Sequence, residues 1–178
     1  MRLGVTTLAA VAGGAIAGLA SAHLAMQGSA TEGLWRSRQP ESATANPYEL
    51  ARGMLDRALV VPGPAMAEFV LERDTDGSVL DADCRYTLKG KLPEALWWSL
   101  SGGGKGETGL PSAATSAGTI FEADGSVSIA ISREPQPGNL IRPPSSGTFV
   151  IRLRVFGDAP GGMAAKTPNL VLAKGDCQ

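Results

Sequence analysis

The residues that could carry covalent or acid–base chemistry in this 178-residue chain are few, and their spacing suits little of it. The single histidine, His23, lies in an N-terminal apolar stretch, so the remainder of the chain has no imidazole. That removes Ser-His-Asp triads, Cys-His dyads and histidine-ligated metals together. Glu68 and Glu72 share one strand face. At ~3.3 Å per residue they stand about 13 Å apart, wider than the carboxylate gap of a glycosidase. Asp74-Thr75-Asp76-Gly77 has the opening of a calcium loop, but the third acidic ligand and the terminal Glu at EF-hand spacing are missing. The acidic run Glu72–Asp83 therefore reads as a solvated hairpin turn. Ser101–Gly109, SGGGKGETG, lacks the G-x-x-x-x-G-K-[ST] spacing that cradles phosphates. No metal, cofactor or catalytic residue is expected.

Other side chains suggest contacts rather than catalysis. Cys84 and Cys177 are an even pair, expected to join as a disulfide if the chain is exported, since oxidising compartments preserve such bonds. Arg152 and Arg154 share a face about 7 Å apart. They could hold an anion, but pairing with Glu68 and Glu72 across a sheet is the expectation, because opposite charges commonly face each other there. Trp97 and Trp98 point to opposite faces: one belongs to the core, and the other is covered by a helix or offers a stacking platform. Together with Asn139 these residues, Trp97, Trp98, Arg152 and Arg154, make up the candidate binding surface.

The elements that position them begin with a tether. Leu3–Met26 carries no formal charge and is long enough as a helix to cross a bilayer core of roughly 30 Å. Arg2 and the amino terminus give the positive flank, which places the N-terminus in the cytoplasm and the rest in the periplasm of a bacterial inner membrane. Ala20-Ser21-Ala22 also offers a cleavage site; a signal peptide cut after Ala22 is the alternative, leaving a soluble periplasmic domain. Gly14 and Gly18 form a GxxxG spacing that would let two membrane helices approach, although an Ala/Gly-rich helix produces it by chance. Residues 27–45 read as a polar linker. Its Trp35 either anchors at the interface or docks on the domain.

Residues 46–178 form the domain. Asn46-Pro47 opens a helix over Tyr48–Val60, with Leu50, Met54, Leu55 and Ala58 as its apolar stripe. Strands follow. Met66–Arg73 alternates and leads into the Asp74–Gly77 turn. In the next strand Cys84, Tyr86 and Leu88 face one way, and Arg85, Thr87 and Lys89 the other. Leu96–Leu100 is short and apolar, and Ser101–Gly109 a mobile glycine-rich loop. Thr119–Phe121 and Ser126–Ser132 flank another turn, Pro135–Pro144 is an irregular connection, and Thr148–Phe156 is the clearest strand. Asn169–Ala173 is the last. Six or seven such strands predict an antiparallel sandwich, mainly β, with one flanking soluble helix. A net charge of −1 with no basic run excludes a nucleic-acid footprint.

The run Cys84-Arg-Tyr86, Trp97-Trp98-Ser99-Leu100, Asp124-Gly125-Ser126, Pro137-Gly138-Asn139 and Phe149-x-x-Arg152-x-Arg154-x-Phe156 resembles the bacterial "domain of unknown function 1214" family. The likeness covers roughly Asn46 to Phe156. It implies a jelly-roll-like β-sandwich, and short exported members with one N-terminal membrane helix look like this chain. Where the family usually reads Asn-Trp-Leu-Pro, this chain has Asn139-Leu-Ile-Arg-Pro143, and SGGGKGETG replaces a polar loop with an aromatic.

Two functions compete. The first is a non-enzymatic, membrane-tethered periplasmic sandwich that binds a partner, such as an accessory subunit of an inner-membrane complex. The second is a hydrolase or carbohydrate-processing domain, with its site between the glycine-rich run and Asn139.

Overall fold

Alternating inward and outward side chains require two facing surfaces, and the chain supplies them as two sheets. In the computed structural model, residues 13–18, 31–32, 34–37, 66–104, 112–157 and 168–177 are described. One sheet has six strands in the order β1 (Thr31–Glu32), β2 (Trp35–Ser37), β3 (Met66–Leu71), β9 (Phe149–Phe156), β5 (Trp97–Gly104) and β6 (Ser112–Thr115). The other has four: β10 (Asn169–Cys177), β4 (Cys84–Lys91), β7 (Val127–Ile131) and β8 (Asn139–Ile141). The architecture is a mainly β sandwich.

Its interior is one apolar cluster. Phe69, Leu100, Phe149, Ile151, Leu153 and Val155 come from the first sheet, and Tyr86, Leu88, Ile129, Ile131, Ile141 and Leu172 from the second. Tyr86 meets Phe149 edge-to-face across the gap, ring centroids 5.9 Å apart. Its hydroxyl accepts the N–H of Asp81 at 2.9 Å, so the buried phenol has a polar partner. Trp35 docks rather than reaching outward. It is buried on β2, and its indole N–H donates to the Leu170 carbonyl at 3.1 Å, tying the first sheet to edge strand β10 of the second.

Several expectations are corrected. The described ladders are antiparallel except β7–β8, which runs parallel because residues 132–138 carry the chain back before β8 begins. β1 and β2 lie within the residues expected to be linker, and pair through β2 onto β3. The glycine-rich run is strand as far as Gly104, pairing with β9 throughout and with β6 from Ser99 to Gly102. A side chain is unwanted there: a Cβ on Gly102 would lie 3.1 Å from the Ile141 side chain of the opposite sheet. Glycine thus lets the two sheets close. The last strand extends past Ala173 to Cys177. Before β7, the expected hairpin shrinks to a single bridge, Phe121 to Val127.

Residues 13–18 are helical and exposed, with open space around Gly14 and Gly18. No helix among the described residues is long and apolar enough to cross a membrane. The rest of the expected span over residues 3–26, the helix expected over Tyr48–Val60, and residues 105–109 of the glycine-rich run lie outside the described residues.

β4 and β5 are consecutive yet belong to different sheets, so Leu92–Leu96 arches from one to the other. Just before this arch, Gly90 sits at φ 142° opposite Leu170, and a Cβ there would run into the Asn169 carbonyl oxygen. Gly90→Ala should destabilise the domain by about 3 kcal/mol, through backbone strain and forced displacement of β10. At Gly77, φ 81°, a Cβ meets nothing within 4 Å. Gly77→Ala should therefore cost only the left-handed penalty of about 1–2 kcal/mol. Urea midpoints of the two variants check the ranking, and equal losses would refute the contact.

Candidate functional site

The first sheet turns one face of β5 and β9 outward, and the register fixes what lies on it. Trp97 stands opposite Phe156, Ser99 opposite Arg154, and Ser101 opposite Arg152. On the other side of β9, Met66 faces Phe156, Glu68 faces Arg154 and Val70 faces Arg152. Trp97 is 39% exposed and leans on Phe156 with ring centroids 5.1 Å apart. Trp98 turns inward and is 4% exposed, edge-on to Phe121 at 6.5 Å. Trp98 is therefore the core member of the pair and Trp97 the surface one.

The arginine pairing expected from the sequence is present for Arg154. Arg154 Nε donates to Glu68 Oε2 at 2.8 Å, and Glu68 is 4% exposed. The sequence alternation placed Glu68 on an exposed face. Every residue of β3 is instead buried, so both of its faces are covered. Glu72 lies 3.8 Å from Arg36 on β2. Arg152 shares the outward face with Arg154, half-buried between Val70 and Ser101.

Asn139 does not join them. It begins β8 in the other sheet, and its amide works as a clamp. Nδ2 donates to the carbonyls of Ile120 at 2.8 Å and Ser128 at 3.1 Å, while Oδ1 accepts the Ile120 N–H at 2.8 Å. The side chain thus pairs both backbone groups of Ile120 as a neighbouring strand would. Asn139→Ala should lower stability by about 1–2 kcal/mol, since water can reach Ile120 once the amide is gone. Hydrogen exchange at the Ile120 amide should rise with it, and an unchanged rate would contradict the clamp. The neighbouring turn is similarly closed by a side chain. The Ser126 hydroxyl at 2.6 Å and N–H at 2.9 Å both donate to Asp124 Oδ1, holding its carboxyl below the ordinary range.

Two polar features were not anticipated. Asp74, expected in a solvated turn, is fully buried. Its Oδ1 accepts the N–H groups of Asp76 at 3.0 Å and Ser78 at 2.9 Å, and Lys174 Nζ of β10 stands 3.6 Å from Oδ2. The signal was available, since Asp at the start of a turn commonly bonds the backbone two residues on; the lysine partner, a hundred residues away, had none. The second is an ionic rim at the same end, where Arg85 pairs with Glu134, and Arg133 with Asp83 at 2.8 Å. Among the described residues, no three His, Cys, Asp or Glu side chains gather as a metal would require.

The disulfide expected from the sequence is formed: Cys84 and Cys177 stand opposite each other where β10 ends against β4. Between the glycine-rich run and Asn139, Gly102 packs against Ile141 of β8.

Comparison with known proteins adds a family and a fold. A family model described as "Protein of unknown function (DUF1214)" matches residues 66–160, more than half of the chain. The crystal structure of the VPA0106 protein from Vibrio parahaemolyticus is similar at 16% identity and TM-score 0.55, over 73% of this chain and 36% of that one. A putative uncharacterized protein from Burkholderia cenocepacia is similar at 18% identity and TM-score 0.46, over 67% of this chain and 31% of that one. The chain thus spans about a third of the length of these proteins. No curated protein matches it.

Proposed function

The chain belongs to the DUF1214 family, and from that premise we propose that it is an exported binding module: a periplasmic, jelly-roll-wound sandwich held to the bacterial inner membrane by residues 3–26. On this reading it serves as an accessory subunit of an inner-membrane complex and carries out no reaction. The observation that carries the proposal is the Cys84–Cys177 bond. A disulfide closing so long a loop persists outside the reducing cytosol, and the apolar N-terminal stretch is the segment that would deliver the domain there.

The binding role is supported by what the polar side chains already do. Glu68 and Arg154 pair with each other, and Asn139 holds Ile120 and Ser128. These groups hold the sheets in register instead of converging on a reacting centre. Trp97 remains as the large aromatic that faces solvent on this sheet, the type of residue that anchors protein contacts.

The test is extraction of the full chain from its own membranes in mild detergent, followed by sizing and alkylation without reductant. The expected result is a complex larger than one chain in its micelle, with both cysteines blocked. A chain running alone would remove the subunit reading. Free thiols, or recovery in the soluble fraction with an N-terminus at His23, would remove the compartment or the anchor respectively.

A further inference from the structure

We propose that one end of the sandwich, carrying Leu96, Trp97, Ile120 and Phe121, rests on the lipid surface of the membrane that holds residues 3–26. The inference builds on the tethered reading above and adds an orientation and a contact. Three observations support it: the length of the tether, the direction from which it arrives, and the chemistry of the two ends.

The tether is short because β1 and β2 occupy residues that the sequence suggested were linker. From Met26 to Thr31, where β1 begins, there are five Cα steps, so the chain can span at most about 18 Å. β1 also fixes the approach. Thr31 pairs with Arg36, which pairs with Val70, while Glu32 lies at the level of Trp35 and Leu71. β1 therefore runs away from the end where Met66, Phe156 and Trp97 meet, and its N-terminal side faces that end. From the level of Val70 to that of Met66 is about 13 Å at ~3.3 Å per residue. The tether is just long enough to reach this end and has little slack to hold it off a membrane.

The two ends differ in chemistry. Leu96 is 68%, Ile120 66% and Phe121 47% exposed, and Trp97 follows Leu96 directly at the start of β5. Leu96 and Trp97 come from the arch between β4 and β5 and the start of β5. Ile120 and Phe121 come from the segment before β7, which reaches Trp98 through Phe121. Isolated exposed apolar residues are ordinary, but four gathered at one end mark a contact surface. Tryptophan in particular settles at the headgroup level, where its ring is half-apolar and its N–H stays wet. The opposite end instead presents Arg73, Asp76, Asp83, Arg133 and Glu134. Among the described residues, charged groups at the Trp97 end are Lys91, Glu94, Glu122 and Asp124, predominantly acidic. The contact is accordingly apolar, with no need for anionic lipid.

The test uses the full chain reconstituted in phosphatidylcholine vesicles whose acyl chains are brominated near the headgroup. Tryptophan emission should be quenched, and Trp97→Phe should abolish most of that quenching, because Trp35 and Trp98 are buried in the core. Ile120→Ser, at a side chain 66% exposed, should weaken it while leaving the unfolding midpoint nearly unchanged. Unquenched emission from chains that float with the vesicles would overturn the inference and leave the tether standing. Chains that do not float would remove both. Shielding of Trp97 from acrylamide in native membranes but not in pure-lipid vesicles would assign this end to a protein partner, which also overturns the inference.

Discussion

Removing the Cys84–Cys177 bond should lower the stability of the sandwich by about 4–5 kcal/mol, the chain-entropy value for a loop of this length. The cysteines are 93 residues apart in sequence, so the bond restricts most of the unfolded domain. It also closes the weakest part of a ladder. β10 pairs with β4 from Asn169 to Lys174, then its register shifts, and Cys177 meets Cys84 beyond that irregularity. Residues from Ala173 onward are exposed, so little apolar burial holds them. Against a total of about 5–15 kcal/mol for an ordinary domain, such a loss is a large share. The measurement is urea unfolding of the wild type with and without reductant, beside Cys84→Ala with Cys177→Ala. Reductant should bring the wild type to the midpoint of the double variant and leave that variant unmoved. If reductant leaves the wild type unmoved, the bond contributes nothing and the export reading loses its main support.

Where the sequence was legible, the reason was local. Cys84, Tyr86 and Leu88, then Val127, Ile129 and Ile131, then Phe149, Ile151, Leu153 and Val155 all point into the core, as their spacing indicated. Period-two alternation works for strands with one covered face. It failed on β3, whose two faces are both buried, so the alternating Glu68 read as solvent-facing. It also missed β6, where Ser112–Thr115 has no bulky alternation, and β8, whose three residues pair in parallel with a strand earlier in the chain. Partners in a sheet are set by pairing between distant residues, and spacing within one strand does not reveal them.

The glycine run shows the same limit from another side. Four residues, Ser101 to Gly104, have the composition of a loop, yet they extend β5 because Ile141 occupies the space a side chain at Gly102 would need. Composition described flexibility; packing demanded smallness. Of the candidate surface, the division between Trp97 and Trp98 and the partner of Arg154 were readable from alternation and charge. The clamp made by Asn139 was not, because its partner Ile120 lies outside any ladder.

Removing the Glu68 carboxylate alone should be nearly as damaging as losing the disulfide, and removing both charges of its pair far less so. Glu68 is almost wholly buried on β3, and Arg154 reaches it from the neighbouring strand with part of its length in solvent. Glu68→Ala leaves a guanidinium among Met66, Val70 and Phe156 without its carboxylate, a change worth about 3–5 kcal/mol. Arg154→Met takes the Nε donor away from the buried carboxylate and should destabilise in the same direction. In Glu68→Leu with Arg154→Met neither charge remains, and apolar side chains of similar length extend the surroundings already present. That double variant should come within about 1–2 kcal/mol of the wild type. Denaturant midpoints of the four proteins give the coupling, and losses that simply add would show that the two groups act independently. The same double variant separates folding from binding: it keeps the sandwich and removes two charges from the outward face beside Trp97. If a partner reads that face by charge, co-extraction from membranes should fail in a protein that still unfolds like the wild type; if the partner sits elsewhere, the complex should survive.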